Sequence, residues 1–317
     1  MRRLTTFLAA LCLAVGATMT GAAADWERAE NPSVRHGEGC GAKRVRCPWV
    51  IRDGDGYRMW CEGYWGKTEV LMAESSDGRN WQTYAHSSPV LPWKPGEILI
   101  HSPSVIKDRQ GVYHMWYSYS TAGYGGDGTN HIAYARSVDG RNWERYAGNP
   151  IIDQEDMPTT CGGVTVGKHD GKFHLWTSGN GQAYATSENG LDWDPRGKIN
   201  FTEGVEGWLG NVSVTVHEGR FIMAYGRHPE GKEYISFASS TDGKNWKPRY
   251  LPPIEAGSKF SALLPTGEGE WMIWYKRGDV KEAKWSIWRA HYKPDNRPED
   301  RKNMSHSEET DFTCSRE

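Results

Sequence analysis

The sequence lacks most of what marks a membrane, nucleic-acid or disulfide-stapled protein. Its 317 residues hold only 6 cysteines, and 38 Lys and Arg are nearly balanced by 40 Asp and Glu. Without a basic excess, neither nucleic acid nor an anionic membrane is an expected partner, because such binding is driven by clustered positive charge. The main apolar run, Phe7 to Val15, is too short to span a bilayer. It follows Arg2-Arg3 and precedes Ala22-Ala23-Ala24, the arrangement of a secretory leader with its cleavage site. Residues 1–24 are therefore expected to leave, giving a secreted or periplasmic chain. Two arginines go with them, moving the formal charge from −2 to −4. Cys12 goes too, and the remaining Cys40, Cys47, Cys61, Cys161 and Cys314 are an odd set that cannot all pair. Long helical periodicity is also missing, which sets aside helix bundles and dinucleotide folds.

What the chain does have is 16 Trp, 15 Tyr and 37 Gly, the composition of short strands joined by tight turns. A repeat dominates it. SSDGRNW ends at Trp81, SVDGRNW at Trp143, SENGLDW at Trp193 and STDGKNW at Trp246. Upstream of each lies an alternating strand: Tyr57–Trp60, Tyr113–Trp116, Phe173–Trp176 and Phe221–Ala224. A fifth such strand, Trp271–Trp274, has no turn motif after it. Another short strand precedes each of the five. In the turn, Asp or Asn can bind backbone amides, Gly supplies positive φ, and Trp can cover the neighbouring strand. Period-2 alternation excludes a helical solenoid. Four strands per unit, five times over, predicts an all-β fold: a five-bladed β-propeller with four antiparallel strands per blade. Its expected span is 46–292. Residues 25–45 form a lead-in able to supply a closing strand, and the charged stretch 293–317 is expected to be a disordered tail.

The strand pair HSPSVIKDRQGVYHMWYSYS (His101–Ser120) and the following IAYARSVDGRNWERYAGNPII (Ile132–Ile152) resemble the five-bladed propeller glycosidases, the superfamily of glycoside hydrolase families 32, 43, 62 and 130. The resemblance covers roughly residues 45–292. It implies a carbohydrate substrate or ligand held at the centre of the propeller by a monomer, and chemistry run by carboxylates at the starts of the innermost strands. The positions matching those carboxylates are Cys47 before Pro48, Ser102 before Pro103, and Cys161-Gly162-Gly163. None carries an acid.

Glycosidic cleavage needs a proton donor and a second carboxylate, so other acids must substitute if the chain is a hydrolase. Glu62 and Asp127 are the candidate catalytic pair, because each follows directly from an inner aromatic strand. Candidate sugar-binding residues on the same rim are Trp65, Tyr119, His101, Asn180, Arg227, His228, Arg277 and Asp279. The pairs Arg227-His228 and Lys276-Arg277 suit an anionic group. Two alternatives compete with hydrolysis: a glycan-binding propeller without chemistry, and a metal or small-molecule site at Cys47, His101 and Cys161. The cysteine spacing matches no standard metal motif, so neither a metal nor a cofactor is expected. His114 and His174 are read as packing residues, and Asp77, Asp139 and Asp242 as turn residues.

Overall fold

The structure is a computed structural model that describes residues 26–37, 42–83, 89–123, 129–153, 155–157, 162–178, 182–205, 210, 212–228, 232–255, 260–279 and 284–294. The expected leader and nearly all of the expected tail lie outside these, as do Cys40, Cys161 and Cys314.

Among the described residues every regular element is a strand. The chain opens with β1 (Glu27–Arg28). The first repeat forms β2 (Arg44–Asp53), β3 (Gly56–Tyr64), β4 (Thr68–Ser75) and β5 (Gln82–Thr83). The second forms β6 (Leu99–Lys107), β7 (Tyr113–Ser120), β8 (Asn130–Ser137) and β9 (Glu144–Arg145). The third gives β10 (Gly163–His169), β11 (Lys172–Ser178), β12 (Ala183–Ser187) and β13 (Asp194–Lys198). After the short β14 (Asn200–Phe201), the fourth gives β15 (Ser213–His217), β16 (Arg220–Arg227), β17 (Tyr234–Ser240) and β18 (Asn245–Pro248), with β19 (Ile254–Glu255) on β17. The fifth holds β20 (Ser261–Pro265), β21 (Trp271–Asp279) and β22 (Lys284–Tyr292), and β1 pairs antiparallel with β22 at its edge. Among the described residues the first two repeats are joined into one sheet by the parallel pair Thr68↔Leu99.

The first strands of the repeats neighbour one another in a closed order: β2 with β6, β6 with β10, β10 with β15, β15 with β20, and β20 with β2. Side chains bind adjacent members of this ring. Trp49 Nε1 donates to the Val105 carbonyl at 2.7 Å, Val166 N to Ser104 Oγ at 2.9 Å, and Val214 N to Thr165 Oγ1 at 3.4 Å. Buried apolar residues form five clusters, and each mixes side chains of two consecutive repeats. That follows from the alternation: each sheet has apolar residues on both faces and buries both between neighbours.

The turn motif accounts for how the sheets are spaced. Asp77 Oδ1 accepts the amides of Arg79 and Asn80 at 2.7 and 2.8 Å, and Ser75 Oγ accepts that of Gly78 at 2.8 Å. The turn thereby aims the Gly78 carbonyl at the preceding sheet. Trp274 of the fifth repeat donates its indole N–H to that carbonyl at 3.0 Å. The same bond runs from Trp60 to Gly140 (3.0 Å), Trp116 to Gly190 (2.7 Å) and Trp176 to Gly243 (2.7 Å). Between the fourth and fifth repeats Ala224 replaces the tryptophan, and the fifth repeat has no turn motif to receive one. Trp26 fills that interface instead, stacking on Phe237 at 5.3 Å and donating to the Pro252 carbonyl at 2.9 Å. The lead-in thus packs into the core as well as adding a strand.

Candidate functional site

The starts of the ring strands converge on one pocket, lined by Cys47, Ser102, Gly163, Ser178, Phe260 and Ser261 among others. The sequence positions matched to glycosidase carboxylates therefore meet at one place. Two are shaped by the same device. β2 and β6 each break register, between Arg46 and Trp49 and between His101 and Ser104, leaving Cys47-Pro48 and Ser102-Pro103 as bulges. Cys47 and Ser102 have φ of 51° and 52°, a conformation non-glycine residues seldom adopt. A bulge re-aims the side chain it carries, here toward the pocket. At the third position a Cβ on Gly163 would stand 2.9 Å from Ser102 Oγ, so a side chain there would have to displace the Ser102 hydroxyl.

Among the described residues that line this pocket there is no Asp or Glu. Glu62 lies directly behind the lining. It is 1% exposed, and its Oε2 accepts the Cys47 thiol at 3.4 Å. Its Oε1 meets Arg46 Nε at 2.6 Å. Burial raises the Glu62 pKa, against the pull of Arg46 and, more weakly, of Lys276. Burial opposes the Arg46 charge, yet Glu62 outweighs it and Arg46 is held above its usual value. A carboxyl raised by burial can carry a proton nearer neutral pH, which a general acid requires. Burial, reinforced by Glu62, drives the Cys47 thiol far up. Cys47 is accordingly a neutral donor and not a thiolate nucleophile. His101, 9% exposed with Nδ1 3.4 Å from Ser102 Oγ, is pushed down to about 3 by burial and by Arg46. It stays neutral at ordinary pH.

A cationic, aromatic wall adjoins the pocket. Phe260 lies 5.4 Å from the Arg46 guanidinium and 5.2 Å from Lys276 Nζ. Trp285 has Lys276 at 4.5 Å, Arg44 at 5.1 Å and Arg46 at 5.6 Å from its ring.

Glu62 and His101 do not line the pocket themselves but touch residues that do, Cys47 and Ser102 respectively. Tyr119 lies in the second repeat, stacked on His131 at 4.9 Å, and burial, with Glu97 and Asp153, pushes its hydroxyl up to about 12. Trp65 folds over Gly63, where a Cβ would meet its Cη2 at 2.9 Å. Arg227 ends β16 opposite Tyr234, and His228 Nε2 is 3.5 Å from Glu233. Arg277 is exposed, 5.0 Å over Trp288, and alternation puts it on the opposite face of β21 from Lys276. Asp279 ends β21 opposite Lys284, its side chain outside the described residues. Asp127 and Asn180 lie outside them altogether.

Sequence reasoning passed over Arg46, and named Lys276 only in the pair Lys276-Arg277, without separating the two. A usable signal existed: Glu62 stands two residues after Trp60, and Lys276 two after Trp274, so the repeat puts both at the same place in neighbouring sheets. Among the described residues no three His, Cys, Asp or Glu side chains group to hold a metal ion. His114 and His174 sit in polar packing contacts, bonded to the hydroxyls of Tyr134 and Tyr184 at 2.6 and 2.7 Å.

No family profile matches the chain. Uncharacterized proteins from two strains of Mycobacterium tuberculosis are each 28% identical over 213 residues, 60% of this chain and 69% of theirs. Among solved structures, a glycoside hydrolase superimposes with TM-score 0.67 at 17% identity, covering 86% of this chain and 94% of its own. A GH32 β-fructofuranosidase of Bombyx mori in complex with sucrose gives 0.62 at 13% identity, over 82% and 61%. A GH43 enzyme from Xanthomonas citri complexed with xylotriose gives 0.62 at 13% identity, over 82% and 88%. The fold is that of the propeller glycoside hydrolases. Identities this low speak to fold alone.

Proposed function

We propose that the protein is an exported, carbohydrate-active five-bladed propeller, most simply a glycoside hydrolase that takes a poly- or oligosaccharide at the pocket where β2, β6, β10, β15 and β20 begin. The observation that carries this reading is Glu62: a buried carboxyl of raised pKa, held by Arg46 and Cys47 immediately behind the pocket lining. Its role is proton donor to the leaving-group oxygen. The second carboxylate comes from the loop between β7 and β8, where Asp127 is the candidate. Sucrose and xylotriose complexes of proteins sharing the fold support sugar as the ligand class.

A second reading, a glycan-binding propeller without chemistry, is favoured by one observation: among the described residues the pocket lining holds no carboxylate. Release of reducing ends from a polysaccharide panel separates the two. The hydrolase reading expects release by the native protein, and its loss, with the fold retained, in Glu62→Gln and in the double variant Glu62→Gln, Asp127→Asn. Full activity in the double variant rejects the acid assignment; glycan binding with no release by the native protein supports the second reading.

A further inference from the structure

Among the described residues, three cations gather on the aromatic wall beside the pocket. Arg46 and Lys276 both act on one carboxylate, Glu62. Arg44 adds a third cation, its guanidinium 4.4 Å from the ring of Tyr64 and 5.1 Å from that of Trp285. Cations can rest on aromatic faces for packing alone, but here three converge on a single indole. Arg46, whose side chain is only 13% exposed, is already paired with Glu62 at 2.6 Å, so one carboxylate stands among three cations. The Trp285 Nε1 hydrogen is also buried and has no hydrogen-bond partner among the described residues. An orphaned buried donor beside clustered cations fits an acceptor with negative charge. The wall is continuous with the pocket, because Phe260 lines the pocket and lies against both Arg46 and Lys276.

We propose that Arg44, Arg46, Lys276 and the Trp285 indole form a carboxylate-recognition subsite, and that the ligand is a glycan containing uronic acid. The aromatic faces of Phe260 and Trp285 take the apolar side of the sugar ring, and the cations take its carboxylate. The class rests on the carbohydrate reading above but does not require hydrolysis.

The test is equilibrium binding, read by tryptophan fluorescence and calorimetry on the full chain. The probes are galacturonate-, glucuronate- and mannuronate-containing oligosaccharides, each beside the same oligosaccharide after carboxyl reduction to the neutral sugar. At least one acidic probe is expected to bind about tenfold or more tightly than its reduced partner, with the preference shrinking as salt is added. Lys276→Gln and Arg44→Gln, with melting temperatures near native, should each remove most of that preference, weakening the acidic probe far more than the neutral one. Binding of neutral probes with equal or greater affinity, no binding of any acidic probe, or a preference untouched by both variants overturns the proposal. Failure of the carbohydrate reading itself differs from this: neither acidic nor neutral probes bind, and no polysaccharide is cleaved.

Discussion

Trp274 donates its indole N–H to the carbonyl of Gly78, 196 residues earlier, and so joins the last repeat of the chain to the first. Gly78 accepts the Trp81 indole as well, at 3.2 Å, so one carbonyl ties its own turn to the neighbouring sheet. The contact leaves no room for change on either side. Gly78 has φ of 68°, and a Cβ there would lie 3.1 Å from Trp274 Cζ2. Gly78→Ala is expected to cost about 1–3 kcal/mol through backbone strain and crowding. Trp274→Phe should cost a similar amount, because it leaves the buried carbonyl one donor short and trims volume from the core. Denaturant unfolding of both variants measures this. Additive losses in the double variant would contradict a shared contact.

Trp26 does at the fourth interface what the Trp–Gly bond does elsewhere, so it should matter as much as a core tryptophan. Trp26→Ala is expected to lose about 3–5 kcal/mol. A chain shortened to begin after residue 28 should lose at least as much, because β1 goes with it. A melting temperature unchanged by Trp26→Ala would show that the lead-in is dispensable.

Arg46 and Glu62 form a buried pair, and removing one partner strands the other. Glu62→Gln and Arg46→Gln are each expected to destabilise by about 2–5 kcal/mol, with the double variant far less affected than the sum. For this reason activity losses in Glu62→Gln must be judged at a temperature where the variant is folded.

The turn aspartates set an acid limb. In Asp139 the amides of Asn142 and Arg141 hold the carboxyl well below its usual range; in Asp77 burial works against the charge, and the amides of Asn80 and Arg79 outweigh it. A depressed carboxyl adds stability that is present above the unfolded pKa of about 4 and is lost as pH falls through the folded value. Melting temperature should therefore drop below about pH 4. Asn189 shows that an amide can serve in this turn, since its Oδ1 accepts from Leu191 and Asp192, both at 2.9 Å. Asp139→Asn should keep the fold and flatten part of that limb; an unchanged pH profile would refute the assignment.

His101 gives a second limb at higher pH. Its folded pKa is pushed down to about 3, while the unfolded chain titrates near 6.5. Between these values the unfolded state binds the extra proton, so stability is full above about pH 6.5 and declines as pH falls toward 3. His101→Gln should remove this decline between about pH 6.5 and 4, where the turn carboxylates do not yet contribute. A decline of equal size in the variant would place its cause elsewhere.

Most of the fold was legible because it is written four or five times. A D-G-x-x-W turn with a tryptophan two strands away is a local pattern, and Ala224 marks the interface where the pattern stops at both ends. The site was less legible, because what distinguishes it is written once. Glu62 could be picked out by its position after an aromatic strand, and His101 by its place before Ser102-Pro103. Arg46 looked like any charged residue at a strand start; only the register, which sets Arg46 opposite Glu62, shows it to be half of a buried pair. Between Lys276 and Arg277 the decision depends on strand phase, and a shift of one residue turns a side chain to the other face.

The most direct test of the account is a crystal structure of the protein with a bound oligosaccharide. The account predicts a sugar ring at the pocket lined by Cys47, Ser102 and Phe260, with Glu62 within reach of a glycosidic oxygen and a uronate carboxylate between Arg46 and Lys276. A sugar bound instead at the opposite end of the ring strands, against Val50, Val166 and Leu263, or on the outer surface, would contradict it.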